Sequence, residues 1–367
     1  MSDGPPAPAA QHANNFQFLR FLLAALVLVA HAYEMLGYYH PFGAWFGVGN
    51  QLGAMAVNGF FLISGYLISA SWIRRRSLGD YIGKRCWRIY PGFTVAFVLT
   101  LALTGPLAGF PAGPYWSKIP LRQNLFALLT LSIPSGPENF GSGLAGQLNL
   151  SMWTIRYEFA CYLAVVGLGA AGLFARRGRL LALTILAIGI YLAQLSLLPP
   201  DLDAGRIFKH LGPVPRLLSF FLVGACYQLY PVRFTRLGCL LAAAVWAVGH
   251  SLGPVADQAA SLIGGGYFVF GLAFLPSRFL RAWNRLPDVS YGLYLYGWPI
   301  QILLIRWFPA ITPGALFGAA LALGLAAGAA SWYGVERQFL RTRRIPTPRQ
   351  DPEREPLVTA PALILQS

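Results

Sequence analysis

Apolar residues in this chain gather into runs of about 20, separated by short polar stretches. They do not alternate with polar residues at the two-residue spacing of a strand. A helix rising 1.5 Å per residue needs about 20 residues to cross a hydrocarbon layer about 30 Å thick. The pattern therefore predicts membrane-spanning helices at Phe16–Leu36, Gly53–Ile73, Ile89–Phe110, Leu148–Ala171 and Leu180–Leu198. Five more are predicted at Pro215–Tyr230, Leu237–Leu252, Ala259–Leu275, Val289–Phe308 and Ala315–Val335. The expected fold is all-α, a polytopic integral membrane bundle of about ten transmembrane helices.

Composition agrees: 56% of the 367 residues are hydrophobic, 11% are charged, and mean hydropathy is +0.53. A soluble chain carries roughly 25% charged residues. The net charge of +15 invites a nucleic-acid partner, but its distribution argues against one. Basic residues collect in alternate loops: Arg74–Arg76 with Lys84, Arg85 and Arg88, then Arg176, Arg177 and Arg179, then Arg233 and Arg236. The series continues with Arg278, Arg281 and Arg285, and with Arg337, Arg341, Arg343 and Arg344. This positive-inside pattern predicts both termini in the cytoplasm and an even number of spans.

Residues 1–15 are polar and rich in Pro and Ala, and read as a flexible cytoplasmic tail without a cleavable signal peptide. Residues 16–344 form the membrane domain, and 345–367 a second flexible cytoplasmic tail. The stretch Pro111–Gln147, rich in Gly, Pro and Ser, is expected to be an outward loop contributing to a binding surface. Cys86, Cys161, Cys226 and Cys239 read as small buried hydrophobes, with no disulfide expected. Their spacing fits no metal site. Gly318, Gly324 and Gly328 permit close helix contacts within one chain or between copies, so oligomeric state stays open.

Ionisable side chains inside spans are costly and mark candidate sites. Arg20 and His31 are eleven residues apart on the first span, which returns them to within about 20° of one face, about 16 Å apart along the axis. Histidine is suited to proton transfer near neutral pH; a buried imidazole satisfied by a neighbour is the alternative. In the fourth span Ser151, Thr154, Glu158 and Tyr162 make one polar stripe, while Arg156 turns about 200° away from Glu158. Glu158 reads either as part of a reactive centre or as a structural ion-pair partner. Tyr291, Tyr294, Trp298 and Gln301 share a face of the ninth span, as helix packing or as a ligand surface. Arg85 and Arg88 share a face if their segment is helical, a geometry suited to phosphate as well as to setting topology.

Taken in order, these runs resemble the acyltransferase-3 family of membrane acyltransferases. The matching features are Arg20 with His31 in the first span, and Asn58-Gly-Phe-Phe-Leu-Ile-Ser64-Gly65-Tyr66-Leu67-Ile68 in the second. Next come Arg85, Arg88, Tyr90 and Pro91, then Trp153, Thr154 and Glu158. Ser290-Tyr-Gly-Leu-Tyr-Leu-Tyr-Gly-Trp-Pro299 and Glu336-Arg337 complete the series. Many relatives carry a histidine where this chain has Tyr296-Gly297.

The resemblance implies an acyl-CoA donor (acetyl-CoA by default) on the cytoplasmic side, with no metal. It also implies a carbohydrate or glycolipid acceptor, such as a cell-surface or exported polysaccharide, and a place in the bacterial inner membrane. Arg85 and Arg88 would hold the coenzyme phosphates, with Arg20 steering the acyl arm. His31 would act as general base and Glu158 would orient it or assist proton removal, while Tyr66, Arg156 and Tyr291 would line the cavity. Direct transfer and a transient acyl-histidine both remain open. The opposing expectation is a glycolipid or polysaccharide transporter or flippase, which also needs buried charges and a polar cavity.

Overall fold

The structure is a computed structural model that describes residues 14–38, 51–75, 77–137, 140, 146–197 and 212–341. Apart from Asn14 and Asn15, the two predicted tails lie outside the described residues, and so does part of the Pro111–Gln147 stretch. All regular structure among the described residues is helical. Every predicted span is occupied by a helix: α1 (Phe16–Met35), α2 (Gln51–Ile73) and α3 (Leu78–Leu107) come first. Two short helices follow, α4 (Ala112–Ser117) and α5 (Leu121–Leu129). Then come α6 (Ile155–Ala170), α7 (Arg177–Leu197), α8 (Val214–Leu229) and α9 (Arg236–Ser251). α10 (Pro254–Ala260) runs through a π turn, Ser261–Gly265, into α11 (Gly266–Phe274). After α12 (Arg278–Trp283) come α13 (Ser290–Trp307) and α14 (Pro313–Ser331). A second π turn at Trp332–Glu336 joins α14 to α15 (Arg337–Arg341).

Five of these runs are long and apolar enough to cross a bilayer: Phe16–Met35, Leu52–Ile73, Leu78–Leu107, Arg177–Leu197 and Pro313–Phe339. α8 and α9 are shorter apolar helices beside them. With this content the protein is an integral membrane helical bundle.

Two elements differ from the sequence expectation. The third helix begins at Leu78 rather than at the start of its apolar run, because Ser77 caps it by accepting from the Asp80 amide at 3.1 Å. Asp80 then complements the positive helix end and pairs with Lys84 at 2.7 Å. The basic stretch is thus helical, which is the condition for Arg85 and Arg88 to share a face.

The second difference is a correction. Pro111–Gln147 was expected to be an outward loop, yet its described residues fold back along α3. Tyr115 and Trp116 donate to the carbonyls of Leu101 and Ala102, whereas the Leu129 carbonyl accepts from Tyr90 at 3.0 Å. Those anchors lie eleven to twelve residues apart on α3, about 16–18 Å of helix. The return is tied at mid-depth, where Asn124 exchanges two hydrogen bonds with Ser135. Leu121, Leu125, Phe126 and Leu129 present one exposed apolar face, suited to lipid rather than water.

Glycines set the closest helix crossings. α2 packs most extensively on α8, and a Cβ on Gly65 would lie 1.9 Å from the Phe221 carbonyl oxygen. Reciprocally, one on Gly224 would meet the Leu62 carbonyl oxygen at 2.0 Å. The glycine of the Ser64-Gly65 motif is therefore a packing requirement. Gly292 and Gly328 make a similar crossing of α13 with α14, and Gly324 accommodates Leu293. Gly318 meets nothing within 4 Å. α1 completes the inner layer against α2, α13 and α14.

Gly65→Val should weaken the bundle by about 1–3 kcal/mol or more, since both obstructing groups are backbone. Gly189→Ala, where no atom lies within 4 Å, should change stability by no more than about 1 kcal/mol. Thermal unfolding of the two variants in the same detergent distinguishes these outcomes.

Candidate active site

α1, α2, α3, α6 and α13 enclose a cavity of about 120 Å³ at the end of the bundle that carries Arg20, Arg85 and Arg88. The three arginines line it together with Ser64, Glu158, Tyr162, Tyr291 and Tyr294. Residues spread over some 270 positions of sequence are thus brought to one chamber.

The arginines are not equivalent. Asp288, in the turn before α13, accepts from Arg20 and from Arg88, each at 2.8 Å through Oδ2. Its Oδ1 accepts from the Ser290 hydroxyl at 2.6 Å. Burial opposes ionisation of this carboxyl, but the two guanidinium charges and these hydrogen bonds overcome that cost and hold it well below the usual carboxylate range. Arg88 also lies 3.8 Å from Glu336, which sits in the second π turn and accepts from Ser331. Arg85 is less committed. Its guanidinium reaches Ser71 at 3.4 Å and stands 5.8 Å from the Tyr162 ring centroid, and its buried Nε has no hydrogen-bond partner. Of the three, Arg85 is the one with no carboxylate partner among the described residues, which leaves its charge for an incoming anion.

Glu158 sits deeper. Its Oε1 accepts from Ser64 at 2.9 Å and from Tyr162 one turn along the same helix. Thr154 and Tyr294 share a hydrogen bond of 2.7 Å between hydroxyls, and Tyr291 donates to the Ile89 carbonyl at 2.9 Å. Thr154, in the 3-10 turn Leu150–Thr154 that leads into α6, thus joins Glu158 and Tyr162 of α6 in facing the α13 tyrosines, as helical spacing implies, whereas Ser151 of the predicted stripe is not among the residues lining the chamber.

His31 lines a second, adjoining cavity of about 280 Å³, with Val27, Gly53, Ala54, Trp153 and Arg216. Val57 and Tyr294 belong to both cavities and form the wall between them. His31 is only 6% exposed and packs edge-on against Trp298, 4.7 Å between ring centroids. Trp298 is fixed by donating to the Gln147 carbonyl at 2.8 Å, and Gln301 by donating to that of Leu28. The ninth-span stripe thus divides: its tyrosines face a cavity and its Trp298–Gln301 end holds α1.

The structure groups Arg20, Arg85, Arg88, Glu158 and Tyr291 in one chamber and sets His31 in the next. Tyr66 and Arg156, expected to line the cavity, are not among its lining residues. Tyr66 joins an aromatic cluster with Phe16, Phe270 and Phe274. Arg156 is exposed and donates to Tyr157 at 2.7 Å, on the face opposite Glu158. Sequence reasoning missed Asp288, which lies just outside a predicted span, and Arg216, which lies just inside one.

Asp288→Asn should leave two partly buried guanidinium groups without their shared counter-charge, a loss on the order of 1–3 kcal/mol once solvent screening of the partly exposed arginines is allowed for. Because folding lowers the Asp288 pKa, its contribution is present above the unfolded carboxylate value of about 4 and is lost as pH falls through the folded value. Thermal unfolding at pH 7 should separate variant from wild type, and the gap should narrow progressively below about pH 4.

Comparisons with known proteins identify the family. A family model described as an acyltransferase domain, of the acyltransferase-3 type, matches residues 14–333. The chain is 30% identical over 347 residues to an O-acetyl transferase of Shigella phage Sf6, covering 91% of this chain and 98% of that protein. It is 26% identical over 326 residues to Nodulation protein 10 of Rhizobium leguminosarum bv. viciae, covering 80% of this chain and 84% of that protein. No solved structure matches it significantly. The family match extends over both cavities and the helices that build them, and the chain belongs to the acyltransferase-3 family of membrane acyltransferases.

Proposed function

We propose that the protein is a membrane O-acyltransferase that moves an acyl group, by default acetyl, from acyl-CoA to a hydroxyl of a carbohydrate or glycolipid. Such an acceptor would belong to a cell-surface or exported polysaccharide. The observation that carries this reading is the pairing of an arginine-lined chamber with a second chamber holding a buried histidine, divided by Val57 and Tyr294. The name of the phage relative supports the O-acetyl assignment. The alternating basic loops support a cytoplasmic arginine end, hence donor entry from the cytoplasm across a bacterial inner membrane.

In this reading Arg85 takes a coenzyme phosphate, with Arg88 and Arg20 held in place by Asp288 to shape the rest of the entrance. The acyl-bearing arm runs past Ser64, Glu158 and Tyr162 toward the Tyr294 wall. In the second chamber a ring nitrogen of His31 takes the acceptor hydroxyl proton as its oxygen attacks the thioester carbonyl. The carbon–sulfur bond breaks, and the proton passes from the imidazolium to the departing thiolate, giving ester and free coenzyme A. Glu158 holds the Ser64 and Tyr162 hydroxyls in line along the arm's path. Thr154 and Tyr294 fix the wall through which the thioester must reach His31.

His31→Ala should lower acceptor-dependent coenzyme A release from acetyl-CoA by about 100-fold or more, and Glu158→Gln should lower it while leaving donor binding measurable. Arg85→Gln should raise the KM for acetyl-CoA by about tenfold or more through loss of a charged hydrogen bond. Radiolabelled acetyl-CoA with purified protein provides the assay. Wild type that neither binds nor cleaves any of several acyl-CoA donors would turn the assignment toward a transporter.

A further inference from the structure

Arg216 belongs to none of the interactions that hold the donor chamber. It lies in the first turn of α8, is half-buried, and lines the His31 cavity with Trp153 and Tyr294. Among the described residues no carboxylate lies within ion-pair distance of it and no hydrogen bond engages its guanidinium. An acid near this end, Asp257, is already taken up by His250 at 3.1 Å and Gln258 at 2.8 Å. Gln258 in turn accepts from Tyr191 at 2.9 Å. A guanidinium in a membrane bundle is costly to keep without a counter-charge, and the described residues supply none. The cost is explained if a ligand supplies the missing charge.

Two further features favour an anion here. α8 opens at Pro213 with no side-chain cap, so the positive end of its dipole adds to the Arg216 charge. The chamber, about 280 Å³, lies near the lower limit of small-ligand pockets, about 300 Å³. That suits a single sugar unit and not a long polymer segment. A surface cation serving only to set topology would extend into water, whereas this one borders the chamber of the buried histidine.

We infer that Arg216 is an acceptor-binding residue, and that the His31 chamber selects a sugar carrying an anionic group, phosphate or carboxylate, close to the hydroxyl to be acylated. The inference rests on the proposed acyl transfer for its kinetic consequences, but charge-selective binding does not. The guanidinium pairs with the anion of the sugar and presents the neighbouring hydroxyl to His31, so its effect is on the choice of acceptor.

Three probes separate the sources of charge: N-acetylglucosamine 1-phosphate, the methyl glycoside of glucuronic acid, and neutral methyl glucoside. Equilibrium binding to wild type, Arg216→Gln and Arg216→Lys is measured without donor. Transfer from acetyl-CoA is then measured as the ratio of kcat/KM for each anionic probe to that for the neutral one. Wild type should favour one anionic probe in both measurements, and which one identifies phosphate or carboxylate as the natural group. Arg216→Gln should cut the preference about tenfold or more, and Arg216→Lys should restore part of it. Retained acetyl-CoA binding shows that the variants are folded. Equal losses on charged and neutral probes would leave the ratio unchanged and assign Arg216 to stabilising the reaction's oxyanion, overturning the inference. Absence of any charge preference in wild type would also overturn it. Arg216-dependent anion binding by a protein that transfers nothing would uphold the inference and remove the acyltransferase mechanism instead.

Discussion

Asp288 ties together helices that are far apart in sequence. Its carboxylate receives Arg20 from α1, 268 positions away, and Arg88 from α3, 200 positions away, while itself leading into α13. Glu336 extends the cluster toward α15. Such a cluster adds little net stability, because removing several charges from water costs about as much as their attraction returns. What it supplies is position. With Arg88 anchored, Arg85 lies one helical turn away on the same face, and the end of α13 that bears Tyr291 and Tyr294 is fixed against α1. Both chambers inherit their walls from that arrangement, since Tyr294 borders each of them.

The glycine crossings make the same point from the apolar side. Between helices in lipid there is little hydrophobic driving force, so association depends on close van der Waals contact. Gly65 lets α2 approach the backbone of α8, and Ser64 next to it reaches Glu158. The motif thus serves two contacts: one residue sets the α2–α8 separation and its neighbour reaches across to α6. Gly92 acts similarly on α3, where a Cβ would come within 2.9 Å of the Tyr291 ring.

The positions of the membrane helices were legible because a 20-residue apolar run has few other stable uses in a chain this hydrophobic. Helical spacing also placed Thr154, Glu158 and Tyr162 together and turned Arg156 away, as observed. The fold-back of Leu121–Leu129 was not legible. Its nine residues are too few for a span, and the turn residues around it imitate a surface loop. Burial of its polar groups depends on partners elsewhere, Asn124 on Ser135 and Tyr90 on the Leu129 carbonyl. The division of Arg20 and His31 between two chambers was equally hidden. One helix face is visible in sequence, but a tyrosine from α13 crossing that face is a tertiary fact. Asp288 was not legible either, because it lies just outside a span and its partners lie 200 or more residues away.

The wall between the chambers bears on how transfer could be kept from becoming hydrolysis. A thioester in a water-filled channel meets water at far higher concentration than any sugar hydroxyl, so a membrane acyltransferase needs its reacting carbon dry until the acceptor is bound. The Tyr294–Thr154 hydrogen bond and the packing of Phe60 against Tyr294 give this wall a definite resting position. Tyr294 also borders the space in which the proposed acceptor would sit. An acceptor that displaces or rotates Tyr294 would therefore open the path to His31 by the act of binding, whereas a single water lacks the bulk to do so. Under the proposed reaction, acceptor selectivity and protection of the donor thioester share one side chain, and the two properties should be lost together when that side chain is shortened.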